Sequence, residues 1–92
     1  MKLQKDDIFL ASLDTILDYI AKDGLVYARK FNRKLQKAVT SIPNFPYKSR
    51  KSLYYDNEDI RDYIFKGYTI PYFIDTNNNQ IVLLDIFKWI NK

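Results

Sequence analysis

Six side chains in the second half of this chain combine cations with an indole ring: Arg50, Lys51, Arg61, Lys66, Lys88 and Trp89. Cations bind phosphates and rings stack on bases, so such a set is what a nucleic-acid surface is made from. Alternation along a strand puts Arg61, Tyr63 and Phe65 on one face, and Ile60, Asp62, Ile64 and Lys66 on the other. The competing reading makes Trp89 a core residue, pairs Arg61 with Asp59 or Asp62, and leaves the lysines as solvated charge. Other chemistries are poorly supplied. The chain has no cysteine and no histidine, which removes disulfides, thiol nucleophiles, ordinary zinc sites and every triad built on imidazole. Asp75, Asn77 and Asn79 open like a calcium loop, but Gln80 stands where that loop needs glycine and Ile86 where it needs glutamate. Asp56, Glu58 and Asp59 read as a solvated turn rather than a magnesium site. No glycine-rich phosphate loop is present, so neither a metal nor a cofactor is expected.

Charge is distributed unevenly. The net charge is +4, yet the segment from Lys22 to Lys51 carries nine Lys or Arg against one Asp. Elsewhere ten acids outnumber six bases. Such a segment attracts a polyanion or an acidic protein, unless it is simply a solvated helix face.

The elements that position these groups follow from periodicity. Leu10, Leu13, Ile16, Leu17 and Ile20 recur at steps of three and four, predicting a helix from about Asp7 with Asp14 and Asp18 outside. Asp6 and Asp7 suit its start, and Gly24 its end. A second helix is predicted from about Val26 to Ile42, with Ala28, Phe31, Leu35, Ala38, Val39 and Ile42 inward. Arg29, Lys30, Arg33, Lys34 and Lys37 crowd its outer side, and Pro43 and Pro46 stop it. The short Asp23-Gly24 joint makes the pair an antiparallel hairpin.

After Tyr47 the pattern turns to strands. Lys48 to Lys51 form a basic connector, and Asp56 to Asp59 a turn. Runs over Ile60–Lys66, Tyr68–Asp75 and Gln80–Trp89 are separated by Gly67 and by Thr76–Asn79, links short enough to demand antiparallel neighbours. The last run is nearly continuous apolar and reads as a central strand. Pro71 needs a position whose missing N–H is not used in pairing, or a bulge. Met1–Gln4 suits a short edge strand. The expectation is one α+β domain over residues 1–92, a two-helix hairpin packed on an antiparallel sheet. With 47% hydrophobic residues it has the material for a core, though a chain of this size buries only about 60–65% of its unfolded surface. No run approaches the ~20 apolar residues of a membrane span, and the start MKLQKDDIFLASLD lacks a signal-peptide pattern. The expected location is cytoplasmic, away from membranes.

The order of these parts resembles the RelE/ParE superfamily of bacterial type II toxins. The likeness is carried by LDTILDYIAKD (13–23), the Phe31–Ile42 stripe, NFPYKSRKSLYY (44–55), DIRDYIFKGYTIPYFID (59–75) and IVLLDIFKW (81–89). It implies a small toxin held inactive by a cognate antitoxin, for which Arg29, Lys30, Arg33, Lys34 and Lys37 are the candidate contacts. RelE-like members cut mRNA in the ribosomal A site, and ParE-like members inhibit DNA gyrase without cutting RNA. RelE-like enzymes commonly carry an arginine early in the strand occupied here by Tyr68–Asp75, and a His or Tyr near the chain end. This sequence has Thr69 and Lys88-Trp89 at those places. A lysine ammonium, protonated across the neutral range, is a poor general base, so the ParE-like, non-nucleolytic branch is favoured. The alternatives are a RelE-like nuclease using Arg61 and Lys88, and a basic nucleic-acid-binding module without toxicity. On every branch, Arg50, Lys51, Arg61, Lys66, Lys88 and Trp89 are the candidate target contacts.

Overall fold

A computed structural model describes residues 1–88. The chain opens with strand β1 (Lys2–Lys5), then helices α1 (Asp7–Ala21) and α2 (Leu25–Val39) and a 3₁₀ turn over Ile42–Asn44. Strands β2 (Arg50–Lys51), β3 (Ile60–Phe65), β4 (Tyr68–Asp75), β5 (Gln80–Leu83) and β6 (Phe87–Lys88) follow, with a second 3₁₀ turn over Thr76–Asn78. The helices form one layer and a six-stranded sheet the other, in the order β1-β5-β4-β3-β2, with β6 also on β4.

The sheet is mixed rather than wholly antiparallel. The β2–β3, β3–β4, β4–β5 and β4–β6 pairs run antiparallel as the short links require. The edge strand β1 runs parallel to β5, with Leu3 opposite Ile81; the two helices after β1 carry the chain across to β2 at the opposite edge, so no short link ties β1 to its neighbour.

Local chemistry accounts for the joints. Asp6 caps α1 by accepting a 2.9 Å hydrogen bond from the Ile8 amide. Gly24, at φ 139°, turns the chain from one helix to the next. Lys66 and Gly67 both have positive φ, 49° and 83°, and Phe65 pairs with Tyr68 across them. That is the two-residue hairpin whose turn matches strand twist.

Buried side chains from both layers interlock between them. Phe9, Leu13, Leu35, Val39 and Ile42 meet Ile70, Tyr72, Ile74, Ile81, Leu83 and Ile86. Phe31 stands between the layers, edge-on to Phe65 and Tyr68 at 5.6 and 5.5 Å.

Three details differ from the periodicity-based expectation. The buried N-terminal residue of α1 is Phe9, and Leu10 is exposed, because Phe9 and Leu13 are the side chains that α1 sends into the core shared with the sheet. The second helix ends at Val39; Ile42 is buried from the following 3₁₀ turn, where Pro43 is accommodated. The run from Gln80 is not one strand but two. Between the pairs Tyr72–Leu83 and Thr69–Phe87, two residues of β4 face three of the opposite chain, which is a bulge. Pro71 sits in it, accepting from the Leu84 amide at 2.9 Å with no N–H to return. Asp85 fills the gap by accepting from the Ile86 amide and the Ser12 hydroxyl. Trp89 lies outside the described residues.

Candidate functional site

The cationic candidates divide between two ends of the sheet. Arg50, Lys51 and Arg61 cluster where β2 meets β3, with Arg50 opposite Asp62 and Lys51 opposite Arg61. Lys66 and Lys88 lie at the other end, Lys66 in the β3–β4 turn and Lys88 opposite Tyr68. Arg61 pairs with Tyr72 and Lys88 with Tyr68, four residues apart on β4 and on opposite sides of it. Their backbones are therefore separated by about 13 Å along the strand direction alone.

At the first end the cations are occupied. Arg61 pairs with neither Asp59 nor Asp62. Its guanidinium donates to the Glu58 carbonyl at 3.1 Å and the Ser49 carbonyl at 3.3 Å, and lies 5.0 Å from the Tyr47 ring centre. Tyr47 donates in turn to Asp59 at 3.1 Å, and this hydrogen bond to a carboxylate raises its phenol above the usual range. Arg61 thus ties both flanks of the 50–59 segment to β3. The Asp62 carboxylate is buried; its Oδ2 accepts from the Leu53 amide at 3.0 Å and meets Arg50 at 3.5 Å. Lys51 meets Glu58 at 3.8 Å. From Lys48 to Asp62 the chain carries four cations, Lys48, Arg50, Lys51 and Arg61, and four acids, Asp56, Glu58, Asp59 and Asp62, so the segment has no net charge.

The fastening beneath this connector is barely legible in the residue types. Tyr72, buried in β4, donates its hydroxyl to the Pro46 carbonyl, and burial raises its phenol. Ser52, also buried, accepts from the Tyr54 amide at 3.1 Å, while its own amide donates to the Ile60 carbonyl at 2.8 Å. Only the crowding of hydroxyl-bearing residues between Tyr47 and Tyr55 hints at it.

At the second end no described acid lies within ion-pair distance of the cations. Lys66 is exposed, its ammonium 5.9 Å from the Phe65 ring. Lys88 borders a groove of about 500 Å³ between α1 and β6, walled by Ile16, Tyr19, Tyr68 and Phe87. Apolar walls with a cation at the rim suit a protein or base contact.

The turn after β4 is self-satisfied. Asp75 accepts from the Asn78 amide and side chain and from Gln80, and these hydrogen bonds, that of the Asn78 side chain foremost, lower its carboxyl below the usual value. That accounts for Asp75 as a turn cap, with Asn79 left-handed at φ 50°. Among the described residues no cluster of acids is arranged to hold a metal ion, and no helix is long and apolar enough to cross a membrane.

On the helix layer, Arg29, Lys30, Arg33, Lys34 and Lys37 are all exposed. Exposed apolar residues gather separately, at Tyr19, Leu25, Val26 and Tyr27 around the hairpin tip and at Ile8 and Leu10 on α1.

This two-layer arrangement is found among solved structures of toxin–antitoxin systems. A chain of the chromosomal ParDE TA system from P. aeruginosa superposes with a TM-score of 0.82 at 19% identity, covering 98% of this chain and 97% of that one. A chain of the intact E. coli RelBE toxin–antitoxin complex superposes with a TM-score of 0.64 at 13% identity, covering 98% of each. At those identities the likeness establishes the fold. No curated protein sequence matches the chain significantly. The profile of the ParE toxin of the type II toxin-antitoxin system parDE matches residues 6–88, and the chain belongs to that family.

Proposed function

We propose that this ParE-family toxin arrests growth by inhibiting DNA gyrase, without cutting RNA, and that it engages its target with the Lys66–Lys88 end of the sheet. The observation that carries the reading is the division of the candidate cations. RNA cleavage needs a base, an acid and a phosphate-stabilising cation around one phosphate. Arg61 is committed to two carbonyls and a ring, and Lys88 lies some 13 Å further along the strand. The two do not share a phosphate. Lys88, by contrast, borders an open, aromatic-walled groove, and Lys66 lies in the turn at the same end of the sheet.

A gyrase supercoiling assay with purified toxin, run beside primer extension on mRNA from induced cells, tests the mechanism. Lost supercoiling with unchanged mRNA ends is expected. New mRNA ends with supercoiling intact would instead establish the RelE-like alternative.

The antitoxin is proposed to cover the apolar hairpin residues and to set acidic side chains against Arg29, Lys30, Arg33, Lys34 and Lys37. A partner that binds only the native state raises the melting temperature by mass action. Co-purification with a small acidic protein and a raised Tm are expected; an unchanged Tm in its presence would refute the docking.

A further inference from the structure

From Ala28 to Val39, every exposed residue of α2 is a cation: Arg29, Lys30, Arg33, Lys34 and Lys37. The helix holds no acid. Among the described residues the only ion pairs are Arg50–Asp62 and Lys51–Glu58, both on the sheet. The residues between these cations turn inward: Ala28, Leu35 and Val39 are buried, and Phe31, Asn32, Gln36 and Ala38 are half-buried. The chain has therefore concentrated unneutralised charge on one helix face while balancing it at the β2–β3 end.

From this we infer that the outer face of α2 is a docking surface for the phosphate backbone of duplex DNA. Charge complementarity identifies the occupant. Protein interfaces draw their affinity from apolar and aromatic anchors in desolvated pockets; the exposed apolar residues of α2, Leu25, Val26 and Tyr27, are confined to its first turn, and the stretch from Arg29 to Lys37 exposes none. A phosphate backbone needs only cations with reach. Arg29 to Lys37 span about 12 Å of helix, against which a duplex presents roughly seven charges at one per ~1.7 Å. Lysine and arginine stems are long enough to follow that line without a fixed register, so the contact is independent of base sequence.

The inference deepens the gyrase reading, because a toxin acting on a DNA-bound enzyme meets a duplex beside its protein target. The antitoxin's acidic side chains would occupy the same face, making antitoxin and duplex competitors for it.

The test is fluorescence anisotropy of a labelled 20-base-pair duplex titrated with the full-length chain across a salt series. If all five cations engage, the slope of log Kobs against log salt is about −4.5. Lys30→Gln/Lys34→Gln should make that slope shallower by about 1.8. Lys2→Gln/Lys48→Gln, with the same net charge and the changes elsewhere, should keep the wild-type slope. Circular dichroism on each variant establishes that the fold is kept. Absence of binding at 50 mM salt overturns the inference, as does an equal loss in the two variants, which would make net charge and not this face responsible. Polyglutamate that displaces the duplex more effectively than unlabelled duplex, charge for charge, overturns it in favour of an acidic protein. Gyrase activity does not enter these measurements. A toxin that binds duplex yet spares gyrase keeps this face and loses the proposed target; one that inhibits gyrase without binding duplex does the reverse.

Discussion

Arg61 illustrates how a cation beside an aromatic ring can serve structure as well as recognition. Its planar fork reaches two carbonyls on different flanks of the connector and covers a tyrosine face, a combination that a lysine cannot reproduce. Arg61→Ala should therefore cost about 1–2 kcal/mol, since hydrogen bonds from a charged donor are worth more than neutral ones. Arg61→Lys should recover less than half of it. Urea denaturation reads both, and a wild-type midpoint for Arg61→Ala would show that the brace carries no load. Asp75 makes a pH-dependent contribution of the opposite kind. Its folded carboxyl titrates below the ordinary value because Asn78 and Gln80 donate to the charged form. A lowered carboxylate adds stability above its unfolded pKa and loses it as pH falls through the folded one. The Tm gap between wild type and Asp75→Ala should hold near neutrality and close below about pH 4. A gap that stays constant into acid would mean that the turn is stabilised by something other than this carboxylate.

Helix–sheet packing turns on a few fully enclosed side chains. Leu35 has no exposed surface, so Leu35→Ala should cost about 2–5 kcal/mol, with Phe9→Ala at the upper end or beyond. Leu17 is half-buried, so its alanine variant should cost less than half as much as Leu35→Ala; chemical denaturation of the three variants together checks the ranking. Equal losses at Leu17 and Leu35 would mean that α1 buries a different stripe. The ranking bears on what was legible in the sequence. The α2 stripe could be read because helical period and burial coincide from Ala28 to Val39. The register of α1 was harder to read, because Phe9 and Leu10 are adjacent and apolar, and contacts with the sheet decide which one turns inward. The hairpin at Lys66-Gly67 was readable from glycine alone. The break in the last strand was half legible: Pro71 announced an irregularity, but the sequence does not say that the opposite chain absorbs it, or that Asp85 and Ser12 close it. The parallel β1–β5 pair left no local trace, because it depends on where two helices deliver the chain. As for the candidate site, residue types identified the cations, and only the tertiary fold shows that they belong to two ends.

At the scale of the molecule the two ends make opposite predictions for function. The β2–β3 end has its cations matched by acids and bound into the connector, so changes there act through stability. At the Lys66–Lys88 end the two lysines meet no described acid, and exposed charges of that kind contribute little to folding. Lys66→Ala/Lys88→Ala should therefore abolish growth arrest while shifting stability by less than about 0.5 kcal/mol. Arg50→Ala/Lys51→Ala should behave the other way. It leaves the buried Asp62 carboxylate with the Leu53 amide as its only remaining hydrogen-bond donor, at a cost of about 1–3 kcal/mol, yet any folded fraction should still arrest growth. Growth curves at matched soluble expression, paired with urea midpoints, separate these outcomes. Folded Lys66→Ala/Lys88→Ala protein that arrests growth at the wild-type rate would remove this end from the target contact. If Arg50→Ala/Lys51→Ala protein were folded and inactive at the same time, the working surface would lie on the connector. There Phe45, Tyr47 and Tyr54 are exposed, and Lys48 is the cation with no described acid within ion-pair distance.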